Sequence, residues 1–392
     1  MKAKSDPEEA GPLRIFIVSY LYDPSVRAGM GGFQKVLELA EQFSRRHRVT
    51  LFLPAYSRRP TCLDCVWIPV VGLPLLRLLW FNGALIPALL LRAVAGRPDV
   101  IYLRIFNAVS LPLLARILGA RLVVEINGNP LQYYRERSPS GARHVQQLVS
   151  WIVRQAARIV TLTEGLKSEA QADFGAEPSR VFVAPSGSNP KLFFPRSRAE
   201  CRRELDVPPD ALVALFTGTF FAYHGIDLLL DALRALDLPS LQLWLLGDGA
   251  MRTRWESRAR ELGLTNVRFT GQVDYARVPF FIGGADFCLA PFAPDRGEVS
   301  PLKVLDYLFC ARPTVIAGIP SVQILLQEFP SLLSFTPGSL DSLTGAMRTM
   351  IGQRTRYEAL AAADSDVARM RYSWDSIAQK IEKHCFPQSN DE

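Results

Sequence analysis

The sequence predicts an α/β protein built from two Rossmann-like, doubly wound parallel-sheet domains that face each other across a cleft. Three observations carry this. Short apolar runs, typical of strands buried on both faces, alternate with amphipathic stretches of helical period. The alternation runs through twice, with no strands-only region. A Pro/Gly/Ser-rich stretch, residues 186–195, separates the two passes. A length of 392 residues is enough for two cores. The expected division is a flexible tail over 1–12, a first domain over 13–190, a second over 191–365 and a terminal helical segment over 366–392.

In the first half, residues 13–20 read as a buried parallel strand. A loop over 21–32 follows, with Gly29, Gly31 and Gly32. Residues 33–46 form an amphipathic helix carrying Val36, Leu37, Leu39, Ala40 and Phe43, and 49–53 is the next strand. Strand, glycine loop, helix and strand make a βαβ unit, but the glycines do not spell the GxGxxG of a dinucleotide fold. On its own the loop is an ordinary βα turn or a place where backbone approaches a ligand. Residues 66–70 read as a strand. The Leu-rich stretch 73–95, with Arg77, Trp80, Phe81 and Arg92, reads as a helix pair. Either it packs into the core, or it lies on a membrane with its arginines at the headgroups. Its uncharged run, 78–91, is shorter than the roughly 20 residues of a spanning helix and is interrupted by Asn82 and Pro87. Residues 99–104 and 121–126 are further strands around a helix over 111–118. Glu125-Ile-Asn127-Gly-Asn-Pro130 closes a strand, where α/β folds place ligand contacts, and Tyr133, Tyr134, Arg135 and Arg137 suit an acceptor loop. A helix over 149–157, strands over 158–162 and 181–185, and a helix opening at Thr163-Glu164 complete the half.

The second half restarts the pattern. A strand over 212–217 leads into the loop Gly218-Thr219-Phe-Phe-Ala-Tyr-His224-Gly225, and a helix over 226–236 follows. A strand over 241–246 ends in Gly247-Asp-Gly249, and a helix over 251–262 comes next. Residues 267–269, Gly271, an apolar run over 278–282 and a strand over 286–290 then lead to the stretch richest in chemistry.

That stretch runs from Glu298 to Ala317. Ser300 suits an N-cap and Pro301 a first helical turn. The helix then buries Leu302, Leu305 and Leu308 and stops near Arg312-Pro313, before a buried strand over 314–317. Free amides at a helix start, with Lys303 beside them, form a phosphate site. Glu298 lies just before and Asp306 two turns inside. The set suits a nucleotide-diphosphate sugar: Glu298 for sugar hydroxyls, the helix-start amides and Lys303 for phosphates, and Asp306 for ribose hydroxyls. The same spacing also describes a plain capped amphipathic helix.

The bulk numbers agree with this class without selecting it. Hydrophobic residues make up 48% and charged residues 21%, as in an ordinary globular protein. A net charge of +7 favours anionic partners such as nucleotide phosphates or an acidic membrane surface. No interleaved basic and aromatic patch supports a nucleic-acid binder. Cys62-Leu-Asp-Cys65 is a CxxC without a second pair, so no zinc site is expected and the six cysteines suit a reducing cytoplasm. The charged, polar start of the chain does not read as a secretory signal.

With these residues in view, the stretch from Glu298 resembles the E-x7-E signature of the group 1 (family 4) retaining glycosyltransferases of the GT-B fold. Glu298 matches the first Glu, and Asp306 stands where a second Glu is usual. Gly218-Thr-Phe…His224-Gly, Leu-Leu-Gly247-Asp-Gly, Asn-Val-Arg-Phe-Thr-Gly271 and Ala-Asp-Phe-Cys-Leu-Ala-Pro-Phe are similar to the family's donor domain, and residues 186–195 to its interdomain crossover. The C-terminal segment around Trp374 resembles the final helix that crosses back to the first domain. The resemblance covers residues 13–384 and, besides Asp306, departs at three points. Thr219 and His224 stand where the family commonly has Arg and Lys, and Asn127 where many members have a histidine that touches the donor sugar.

The resemblance implies transfer of a sugar from a nucleotide diphosphate to an acceptor hydroxyl with retention at the anomeric carbon, as in envelope polysaccharide, glycolipid or other glycoconjugate synthesis. Glu298 and Lys303 would be catalytic. Asp306, Gly218, Thr219, Gly247 and Gly271 would hold nucleotide and ribose, and Ser300, Pro301, Leu302, Lys303 and His224 the phosphates. Gly31, Gly32, Asn127 and Tyr133 would face sugar and acceptor. No metal or other cofactor is expected. The acceptor is lipid-linked, a saccharide or a small molecule, and the expected location is the cytoplasm or the inner face of the membrane. A nucleotide-sugar epimerase of the same fold and a non-catalytic sugar-nucleotide binder are the competing readings.

Overall fold

The computed structural model describes residues 11–20, 30–55, 63–132, 138–294 and 302–387. The chain divides into two compact units, Met1–Pro185 with Trp374–Glu392, and Ser186–Ser373.

The first unit holds seven parallel strands: β1 (Arg14–Val18), β2 (Arg48–Pro54), β3 (Asp64–Ile68), β4 (Val100–Arg104), β5 (Arg121–Ile126), β6 (Arg158–Thr161) and β7 (Val181–Val183). Their order is β3-β2-β1-β4-β5-β6-β7, so the direction of winding reverses between β1 and β4. Alternate side chains divide the sheet into two faces. Ile17, Tyr102, Arg104 and Glu125 meet helix α1 (Met30–Ser44) through Lys35, Val36, Leu39 and Phe43. Phe16, Val18, Ile101, Leu103, Leu122 and Val124 join the opposite core, with α2 (Pro74–Val94), α3 (Leu111–Leu118) and α4 (Pro139–Gln155). Helix α5 (Glu164–Phe174) adds Ala170 and Phe174 to that core.

Several elements differ from the sequence reading. Residues 73–95 form one helix, not a pair. Pro87 forfeits its bond to the Gly83 carbonyl, but both residues are exposed, so water can serve that carbonyl while Phe81, Leu85 and Leu89 keep the other side packed. At 21 residues α2 is long and apolar enough to cross a membrane by length and composition, unlike the shorter run read from sequence. Its inner side is nonetheless part of the core, with Phe81, Leu85 and Leu89 fully buried. Helix α1 begins at Met30, so Gly31 and Gly32 lie in its first turn rather than in the preceding loop. Helix α4 reaches back to Pro139, where the Ser138 hydroxyl accepts from the Gly141 amide and caps it.

The second unit holds six parallel strands: β8 (Leu212–Thr217), β9 (Leu241–Leu246), β10 (Val267–Gly271), β11 (Phe287–Ala290), β12 (Thr314–Ala317) and β13 (Leu332–Phe335). Their order is β10-β9-β8-β11-β12-β13, which puts the switch point between β8 and β11. Strand β13 and the helix after it, Leu340–Gly352, had no sequence assignment. The long helix Arg354–Tyr372 belongs to this unit, and the chain returns to the first only with helix α6 (Trp374–Cys385). There Arg46 ties α1 to Asp375 at 2.7 Å and to Glu382 at 2.9 Å.

Candidate active site

Ligands of doubly wound sheets bind beyond the carboxyl ends of the strands, at the switch point. In the second unit that point is bordered by the loop after β8 and by the helix α7 (Leu302–Phe309), which follows β11. Helix α7 is fastened to the end of β8 by Tyr307. Its buried hydroxyl accepts from the Thr217 amide at 2.8 Å and lies 2.9 Å from the Thr217 hydroxyl. The neighbouring amide, that of Gly218, turns to the Leu246 carbonyl of β9, so Thr217 faces β11, whose pairing with β8 ends at Leu215. Tyr307 thus supplies the partner that the sheet lacks there.

One turn earlier on the same face stands Lys303. Its ammonium lies 3.9 Å from the centre of the Phe216 ring and 3.2 Å from His224 Nδ1. A lysine can only donate, so Nδ1 accepts and the buried imidazole is neutral, its Nε2 carrying the proton. His224 therefore orients Lys303 rather than adding a second positive charge. The sequence expected both in a phosphate site, and the structure brings them together.

The glycines around this ammonium adopt positive φ, where a side chain is strained, and Gly247 also has no room for one. A Cβ on Gly218, at φ +142°, would lie 2.8 Å from Lys303 Nζ. One on Gly247 would lie 1.9 Å from the Gly218 carbonyl oxygen. Gly247 also donates to the Gly271 carbonyl at 3.0 Å, so the ends of β8, β9 and β10 meet through glycine backbone. The Thr219 carbonyl accepts from Phe221 at 2.9 Å, inside the same loop.

Asp306 lies one turn of helix beyond Lys303 and accepts from the Ser188 hydroxyl at 2.6 Å. Ser188 is in turn held by its amide on the Tyr372 carbonyl, 2.9 Å away. Leu302 opens α7. Glu298, Ser300 and Pro301 lie outside the described residues, as does Tyr133.

In the first unit, Gly31 and Gly32 sit in a helix start, whose amides lack intrahelical partners. Nearby, Lys35 is buried against Glu125 at 2.7 Å and donates to Asn127 Oδ1 at 3.0 Å. Glu125 also accepts from the Tyr102 hydroxyl. Burial works against the Glu125 charge, but Lys35 and Arg104 beside it prevail and hold its carboxyl below the ordinary range. Burial pushes the Lys35 amine down, with Glu125 opposing. With its oxygen committed to Lys35, Asn127 has only Nδ2 to offer, and that atom has no partner among the described residues.

Tyr307, Ser188, Lys35 and Glu125 were not singled out as site residues in the sequence. A signal existed for one: Lys35 stands beside Val36 and one turn before Leu39, on the apolar stripe of its helix.

Two family profiles match the chain: a glycosyl transferase 4-like domain over residues 31–187, and glycosyl transferases group 1 over 211–353. The D-inositol 3-phosphate glycosyltransferase of Stackebrandtia nassauensis is 28% identical over 244 residues, 59% of this chain and 54% of that enzyme. The match thus spans about half the length of that relative. Among solved structures, sucrose-phosphate synthase from Thermosynechococcus elongatus superposes with a TM-score of 0.77 at 18% identity, covering 95% of this chain and 98% of the other. Anabaena HepE in complex with UDP-glucose gives 0.74 at 17% identity, with 95% and 98% covered.

Proposed function

The chain belongs to the group 1 glycosyltransferases of the GT-B fold, and from that premise we propose that it moves a sugar from a nucleotide-diphosphate donor to an acceptor hydroxyl, with retention at the anomeric carbon. The observation that carries the proposal is Lys303, whose ammonium is fixed over the end of β8 by Phe216 and His224, at glycine backbone where a side chain is strained. The UDP-glucose complex of the structurally similar HepE supports a nucleotide sugar as the donor.

The donor diphosphate lies against Lys303 and the amides that open α7, with His224 Nε2 as a neutral donor. As the glycosidic bond breaks, the diphosphate gathers negative charge. Fixed donors at that place lower the barrier more than they tighten the ground state. Asp306 holds a ribose hydroxyl, and Glu298 orients sugar hydroxyls. Gly31, Gly32 and Asn127 serve the sugar and acceptor from the first unit, Asn127 as a donor through Nδ2. The incoming hydroxyl loses its proton to a diphosphate oxygen. The proposal includes no metal or organic cofactor, an acceptor that is lipid-linked, a saccharide or a small molecule, and a role in glycoconjugate synthesis in the cytoplasm.

The test is a screen of the purified chain against UDP-, GDP- and ADP-sugars for turnover, with Lys303→Ala alongside. The variant is expected to lose about 10²–10³-fold in kcat/KM on the preferred donor, at an unchanged melting temperature. Wild-type turnover by Lys303→Ala would remove the assignment of the phosphate site.

A further inference from the structure

Helices α2, α3 and α4 cover one face of the first unit's sheet, and their outer sides have an unusual composition. Along α2, Leu79, Trp80 and Leu91 are 70%, 52% and 74% exposed, opposite the fully buried Phe81, Leu85 and Leu89. On α3, Leu113 and Ile117 are 59% and 60% exposed, and on α4 Trp151 is 42% exposed. Single exposed apolar residues are ordinary, but a surface that repeats them over adjoining helices is not.

Charge supplies an independent observation. The three helices contain no Asp or Glu, while Arg77, Arg92, Arg116, Arg143 and Arg154 all lie on them. Of these, Arg92 is paired with Asp64 of β3. The helices on the opposite face of the sheet are mixed, with Glu38 and Glu41 on α1 and Asp375 and Glu382 on α6. Helix α5, which joins the same core as α2, α3 and α4, carries Glu164, Glu169 and Asp173 and exposes no large apolar side chain, so the acid-free surface is that of α2, α3 and α4, where the apolar side chains are exposed.

We infer that the outer surface of α2, α3 and α4 docks on an anionic lipid bilayer, with their leucines, isoleucine and tryptophans at the acyl boundary and their arginines at the headgroups. Arginine stems reach along apolar surface while the guanidinium stays at the headgroup level, and tryptophan suits the same boundary. A second copy of the chain would set arginines against arginines. A spanning role is excluded for α2 because its inner side forms the core. The inference stands on this surface and not on the transfer reaction. If that reaction is as proposed, the docked chain would take its acceptor from the lipid surface.

The test is sedimentation of the full chain with vesicles of phosphatidylcholine, alone or containing about one third phosphatidylglycerol. Wild type is expected to bind the anionic vesicles at least about tenfold more tightly than the neutral ones, and to be released by high salt. The triple variant Leu79→Ser, Trp80→Ser, Leu91→Ser and the double variant Arg116→Glu, Arg143→Glu should each lose about tenfold or more in binding to the anionic vesicles. Their melting temperatures and, where a donor is found, their donor affinity should match wild type. Lys303→Ala should bind vesicles like wild type, which separates failure of the catalytic reading from failure of this one. Absence of binding to anionic vesicles, binding that the triple variant leaves unchanged, or a dimer that the triple variant dissociates without any vesicle binding would overturn the inference.

Discussion

Replacing Tyr307 by Phe removes one hydroxyl and leaves the ring, so the effect isolates the bond between α7 and β8. The Thr217 amide then loses its acceptor, 2.8 Å away, in a fully buried place. Leaving a buried donor unpaired costs about 1–3 kcal/mol. For a unit of this size, each kcal/mol moves the melting temperature by about 2–4 °C, so Tyr307→Phe should melt about 2–12 °C below wild type. The damage should also be directional. Lys303 stands one turn from Tyr307, and loosening the helix frees its ammonium from Phe216 and His224. Nucleotide-sugar affinity, measured by calorimetry below the melting transition, should fall together with kcat. Differential scanning calorimetry checks the first part. A melting temperature within about 1 °C of wild type would show that Tyr307 is not the partner that β8 depends on.

Three further outcomes are expected. Gly218→Ala should abolish tight donor binding, because its Cβ would displace the Lys303 ammonium and Ala is strained at φ +142°; donor titration by calorimetry reads it. Asp306→Asn keeps an acceptor for Ser188, so the fold should hold while KM for the donor rises and kcat changes little, since a ribose contact is made equally in ground and transition states; steady-state kinetics separate the two. Glu125→Gln leaves Lys35 and Arg104 buried without their counter-charge and should cost about 3–5 kcal/mol at neutral pH. Because the folded state holds the Glu125 carboxyl below its ordinary 4.5, its stabilisation is complete above that pH and is lost as pH falls through the folded value. Wild-type melting temperature should therefore fall more steeply than that of Glu125→Gln below pH 4.5.

Local pattern determined much of this protein. The short Val/Ile/Leu runs and the 3.6-residue stripes are properties of neighbouring residues, and they placed β12 over Thr314–Ala317 and Lys303 in a helix start as the sequence alone suggested. The glycines at 218, 247 and 271 were also visible, because chains use them where backbone must come close. What the sequence left open were choices of partner. Nothing local says that Tyr307 reaches Thr217, 90 residues away, or that Ser188 reaches Asp306 across 118. The first pair follows from strand order, which brings β8 beside β11 and leaves the Thr217 amide beyond the end of their ladder, and the second from the chain at Ser188 being held on the Tyr372 carbonyl. Lys35 and Glu125 are a similar case, charges tolerated inside only because the packing of α1 on the sheet sets them against each other. Residues 73–95 show the same division. Their composition fits a buried helix or a surface one, and only packing on the sheet decided that Phe81 faces the core while Trp80, its neighbour in the chain, faces outward.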